Sequence, residues 1–166
     1  FFGANPQRVL PSAFIRLVRF DTVIADASQP DKSDFERAFT GPLPHQIRHV
    51  RTFLKESGFF KTYQIRNVNG GFIDEPEYPP IAIDEAIVNS VAHRDYAVKL
   101  PIECFKFRDA FAVTNPGRVL QRDQDVPERF SLDTTVLDHS PRNPKLEEWL
   151  KMMRDEGGTA FVRALS

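Results

Sequence analysis

The sequence predicts an α+β fold, a mixed and mainly antiparallel sheet covered on one face by helices. Three observations carry that expectation. Short runs rich in β-branched and aromatic residues alternate loosely with longer runs of helical period. A strong hairpin signal, Asn67-Val68-Asn69-Gly70-Gly71, separates two of the short runs. After the pair Pro79-Pro80 the chain continues without glycine or proline to Pro101, so one long helix is expected there, with Asp84 suited to its first turn.

Taken in order, residues 1 to 11 hold one glycine and two prolines and read as a connector. Ser12 to Phe20 is an expected strand, 21–32 a loop around Pro30, and Asp34 to Phe39 a second short strand. Thr40-Gly41-Pro42-Leu43-Pro44 opens a helix that runs to about Ser57, where Gly58 stops it. Ile47, Val50, Phe53 and Leu54 supply its apolar stripe. His45 and His49 stand one turn apart on it, a spacing that can bind zinc. Gln46 occupies the place of the glutamate in a His-Glu-x-x-His motif, and no Cys or carboxylate cluster accompanies the pair, so a solvated face is the reading. Phe59 to Arg66 and Phe72 to Glu75 are the hairpin strands. Beyond the long helix, Ile102 to Phe107 and Phe111 to Thr114 are two strands joined at Arg108-Asp109-Ala110. Residues 118 to 138 are charged, contain Pro127 and show no period; a loop this long inside a domain is usually functional or mobile. Pro144 to Arg154 reads as a helix with Leu146, Trp149, Leu150 and Met153 inward, and Gly157-Gly158-Thr159 leads into a last short segment.

The 166 residues suffice for one domain with a real core. No apolar run approaches ~18 residues and there is no signal peptide pattern, so no membrane contact is expected. The single Cys104 cannot form an internal disulfide, which fits a reducing cytoplasm. The chain opens Phe-Phe-Gly without methionine, as a fragment would. The formal net charge is −1 with Lys and Arg scattered. A surface that binds DNA usually carries a basic patch, because phosphate contacts dominate affinity. Direct DNA binding by this stretch is therefore the least favoured reading.

The candidate site lies on the long helix. At ~100° per residue, Glu85, Asn89 and His93 fall within an arc of about 80°, while Ile83, Ile87 and Val91 form a separate apolar stripe. Acid, amide and imidazole at that spacing also occur on many solvated helix faces. The full string Glu85-Ala86-Ile87-Val88-Asn89-Ser90-Val91-Ala92-His93-Arg94-Asp95-Tyr96 resembles the N-box helix of a divergent branch of the GHKL, or histidine-kinase-like, ATPases. Members of that branch are bacterial proteins called RecG-helicase-related or transcriptional regulators. Glu77-Tyr78-Pro79, Thr114-Asn115-Pro116-Gly117, and Ser140-Pro141-Arg142-Asn143-Pro144 with Gly158-Thr159-Ala160 support the resemblance in the same order.

The resemblance implies a GHKL-like α/β sandwich over residues 12–166, Mg-ATP as cofactor, and a cytoplasmic regulator. Its DNA contacts would come from an upstream Schlafen-type DNA-binding domain, with residues 1–11 closing the connection. In the family, the N-box glutamate activates water and the asparagine one turn later holds Mg²⁺; these are Glu85 and Asn89 here. The residue types suit the tasks, since a carboxylate takes a proton from water and a carboxamide oxygen suits a hard cation. His93 and Arg94 are the candidate phosphate contacts, although Arg94 lies toward the apolar side of the helix and is also placed to pair with a carboxylate near its end. Asn115 and Gly117 occupy the family's Asp-x-Gly adenine box, and an asparagine can pair with adenine through its oxygen and its amide; the tripeptide is equally readable as a simple turn. Gly158 and Thr159 fall in the phosphate-binding glycine box. Ala160 replaces a family glycine there, which puts hydrolysis, a weak ATPase activity, more in doubt than the fold.

Two other motors are excluded by spacing. His93-Arg94-Asp95 resembles a kinase catalytic loop, but Leu100 stands where its metal-binding asparagine belongs. A helicase motor needs a Gly-x-x-x-x-Gly-Lys-Ser/Thr loop, and none is present. The alternative reading is a degenerate domain of the same fold that binds no nucleotide and acts as a scaffold or homodimerisation surface.

Overall fold

The computed structural model describes residue 3 and residues 5–24, 33–117 and 142–153. Over these residues the architecture is α+β: a four-stranded mixed sheet, a separate two-stranded hairpin and three α-helices. The strands are β1 (Ile15–Arg19), β2 (Phe35–Phe39), β3 (Thr62–Arg66), β4 (Phe72–Pro76), β5 (Ile102–Lys106) and β6 (Phe111–Thr114). The helices are α1 (Leu43–Glu56), α2 (Pro80–His93) and α3 (Pro144–Met152). The main sheet has the order β2-β1-β5-β6, with β1 and β5 parallel and both outer pairs antiparallel.

Side-chain alternation decides which face of the sheet is covered. In register, Phe39, Ile15 and Ile102 form one row of the inner face, followed by Arg37, Leu17, Cys104 and Val113. Ile15, Leu17, Ile102 and Cys104 are buried against Leu43, Ile47 and Val50 of α1, and Ile87, Val88, Val91 and Ala92 of α2. Leu146 and Leu150 of α3 complete this cluster. At ~1.5–3 kcal/mol for each fully buried aliphatic side chain, this is the main cohesive term of the fold. The last inner row, Phe35, Arg19, Lys106 and Phe111, departs from the apolar pattern.

The helix over Thr40–Ser57 forms as Leu43–Glu56, with Ser57 as C-cap and Gly58 at φ +66, a conformation glycine adopts without strain. Its Gln46 is fully buried and donates to the carbonyls of Ala13 (2.8 Å) and Gly41 (2.7 Å). His45 and His49 lie on the exposed side, ring centroids 6.0 Å apart. Residues expected as a connector partly dock: Pro6–Arg8 is a 3-10 turn, and Gln7 donates to Ala13 O and accepts from Gly41 N.

The central helix differs at both ends from the sequence expectation. It begins at Pro80, so Asp84 sits past the first turn, where it pairs with Arg51 of α1 at 2.6 Å. It ends at His93, well short of Pro101, because Arg94 is extended (φ −61, ψ 141). Tertiary partners replace the helical bonds beyond that point. Asp95 N–H donates to Pro116 O (2.8 Å), and Tyr96 O–H donates to Val91 O (2.9 Å). No helix among the described residues is long and apolar enough to cross a membrane.

Candidate functional site

Around the end of α2, three sequence-distant segments meet. The α2 terminus supplies Ala92 to Asp95, the segment after β6 supplies Asn115-Pro116-Gly117, and the entry to α3 supplies Arg142 and Asn143. Asn143 donates its side-chain amide to both Ala92 O and Arg94 O, each at 2.8 Å. Those carbonyls belong to the helix end, where no helical N–H can reach them. Arg142 Nη1 pairs with Asp95 Oδ2 at 3.0 Å. Gly117 has φ +127, and a Cβ there would stand 3.1 Å from Asp95 Cβ. A side chain at 117 would thus be strained in backbone and crowded in space.

Asn115 completes the junction. Its Oδ1 is buried and has no hydrogen-bond partner among the described residues. An acceptor held in that state costs roughly 1–3 kcal/mol relative to a satisfied one. A donor brought beside the turn would remove the penalty, which is the chemistry an amino group of a planar base offers.

Arg94 is buried, only 1% exposed. Its Nη2 donates to Leu100 O (2.6 Å), and its guanidinium lies 5.1 Å from the Tyr96 ring centroid. Burial lowers the arginine pKa and pushes the Tyr96 hydroxyl well above its ordinary value. Among the described residues, the partners of Arg94 are thus a backbone carbonyl and a ring, where the sequence suggested a phosphate or a carboxylate. Its role here is to hold the chain after α2.

Glu85 and Asn89 point to solvent from α2, and His93 is half-buried on the same flank. Ile87 and Val91 are buried on the opposite side, as their stripe requires. Among the described residues, two clefts open away from this flank. One of about 420 Å³ lies between α1, α2 and the hairpin base, lined by Leu54, Phe60, Tyr78 and Ile83 with Lys55 and Lys61. The second, about 220 Å³, lies at the end of β1 and β5. Glu85, Asn89 and His93 line neither. Gly158, Thr159 and Ala160, together with the expected loop 118 to 138, lie outside the described residues. No group of three or more His, Cys, Asp or Glu side chains suited to a metal occurs among the described residues.

Sequence reasoning missed the cluster at the smaller cleft. Lys106 is 4% exposed and pairs with Glu77 at 2.8 Å, with its ammonium 5.6 Å from the Tyr78 ring centroid. Burial raises the Glu77 pKa, but hydrogen bonds from the Lys106 side chain and the Lys61 backbone outweigh it, so the net shift is downward. Arg19 pairs with Asp34 and lies 5.9 Å from the ring centroids of both Phe35 and Phe59. A signal was present: Ile102, Cys104 and Lys106 alternate on one face, so the strand period alone turns the lysine inward.

No protein-family model and no curated protein matches the chain. Among solved structures, the crystal structure of the DIP2311 protein from Corynebacterium diphtheriae is similar, with a TM-score of 0.62 and 18% identity. The likeness covers 82% of this chain and 26% of that one. At that identity it supports a shared fold, and the chain spans about a quarter of that protein.

Proposed function

We propose that the domain is a GHKL-type nucleotide-binding module that takes Mg-ATP beside α2 and serves a cytoplasmic bacterial regulator whose DNA contacts lie in another domain. The observation that carries this reading is the junction at the end of α2. Three segments that resemble the family's boxes in sequence meet there, and the buried Asn115 oxygen has no donor among the described residues. Asn115 and Gly117 would receive the base. Asn89 offers a carboxamide oxygen to the cation, and Glu85, one turn earlier, is the group able to take a proton from water. His93, with Gly158 and Thr159 by resemblance, would face the phosphates. Bound Mg²⁺ would supply neutralisation of phosphate charge.

Calorimetric titration of Mg-ATP into the protein tests this, with Asn89→Ala as control. Expected is micromolar to submillimolar binding that Asn89→Ala abolishes, followed by a hydrolysis assay on Glu85→Ala. Absence of heat at millimolar ATP would overturn the proposal. A second reading, a scaffold of the same fold that binds no nucleotide, is favoured by Arg94 being engaged internally. The same titration separates the two.

A further inference from the structure

Among the described residues the β3–β4 hairpin is a two-stranded sheet of its own, and every residue of both strands is exposed. A lone hairpin is marginal in water. One face carries exposed apolar side chains: Ile65 pairs with Ile73 across the strands, and Tyr63 lies two residues along on the same side, opposite Glu75.

The two outer edges are not equivalent. Hydrogen bonds from Asn67 N–H to Gly71 O and from Glu77 N–H to Lys61 O bracket the ladder. Alternation between them makes the odd-numbered residues of β3 the ones bonded to β4, so Thr62, Gln64 and Arg66 direct N–H and C=O outward. On β4 the outward residues are Phe72, Asp74 and Pro76. Proline offers no N–H, and pairing this edge with itself about Asp74 would set two carboxylates opposite each other. Such features close an edge to association.

The β3 edge has the reverse character. Antiparallel pairing about a twofold axis at Gln64 sets Gln64 opposite Gln64, Thr62 opposite Arg66 and Tyr63 opposite Ile65, and no like charges meet. Tyr63 and Ile65 of both copies form a continuous apolar strip at the centre, with Ile73 and Glu75 on either flank. We infer that the β3 edge is where a second copy of this chain pairs, joining two hairpins into one four-stranded antiparallel sheet. Nucleotide binding has no part in this contact.

Sedimentation equilibrium over a concentration series tests it. Expected is a reversible dimer at twice the 19.0 kDa of one chain. Gln64→Pro should be monomeric with unchanged circular dichroism, because the Gln64 N–H takes no part in the hairpin. Gln64→Glu and Gln64→Lys should each raise the dimer dissociation constant, by up to roughly five-fold, and their equimolar mixture should restore association. Asp74→Asn should leave the constant unchanged. A wild-type monomer at every concentration overturns the inference. So does a dimer indifferent to the Gln64 substitutions, or one that Asp74→Asn tightens.

Discussion

Replacing Asn143 with alanine is the perturbation that most directly probes the junction at the end of α2. Asn143 precedes α3, at the position of an N-cap, yet its side chain makes no capping bond. Its amide is committed instead to Ala92 O and Arg94 O at 2.8 Å each. A neutral hydrogen bond contributes about 0.5–1.5 kcal/mol net, so Asn143→Ala should cost about 1–3 kcal/mol. Ala92 is only 2% exposed, so water cannot readily replace the lost donor and the cost belongs in the upper half of that range. A loss of about 2 kcal/mol lowers Tm by about 4–8 °C in a domain of this size. Urea unfolding followed by circular dichroism and by the single Trp149, which lies on α3, should show a lower midpoint at unchanged slope. Asn143→Asp is the discriminating variant. Aspartate is as good an N-cap as asparagine but cannot donate to two carbonyls. If Asn143 clasps α2, the aspartate variant is destabilised as well. A loss within about 0.5 kcal/mol for alanine, or a neutral aspartate variant, would refute the clasp.

Two further predictions follow from buried groups. Lys106→Met leaves Glu77 without its cation in a site where both side chains are at most 10% exposed, and breaking such a pair should cost about 3–5 kcal/mol at neutral pH. Because the folded pKa of Glu77 is depressed, its stabilising share is present above the carboxylate range and is lost as pH falls through it. The gap between Lys106→Met and wild type should therefore narrow in acid, and adding Glu77→Leu should recover much of the loss; equal denaturation midpoints at neutral pH would refute this. For Cys104, burial pushes the thiol up to about 12 from 9.0. The native thiol should resist a disulfide reagent until the protein unfolds, since the thiolate is the reactive form. The unfolded thiol ionises first, so the stability Cys104 contributes should fall as pH rises from about 9 to about 12. Rapid labelling of native protein at pH 8 would contradict both statements.

Local chemistry was legible in the sequence wherever the decisive partners lie a few residues apart. The α1 boundaries follow from Pro42, Pro44 and Gly58, the hairpin from Asn67 to Gly71, and the burial of Ile47, Val50, Ile87 and Val91 from a 3.6-residue period. The α+β class followed from the same local patterns. The candidate site was legible only in part. Glu85, Asn89 and His93 do share the outer flank of α2, and Asn115-Pro116-Gly117 does reach the helix end. Arg94, which the helix wheel already set toward the apolar side, is held inward because the chain leaves the helix there and a carbonyl six positions on accepts its hydrogen bond.

What only the tertiary structure decided has one physical origin. The end of α2, the parallel pairing of β1 with β5 across the whole α1–hairpin–α2 crossover, the separation of the hairpin from the main sheet, and the clasp of Asn143 all depend on distant partners. A periodicity of two or 3.6 residues says which side of an element is apolar. It cannot say which remote carbonyl or carboxylate will meet it, because that choice is made only when the whole chain packs and most buried polar groups find partners.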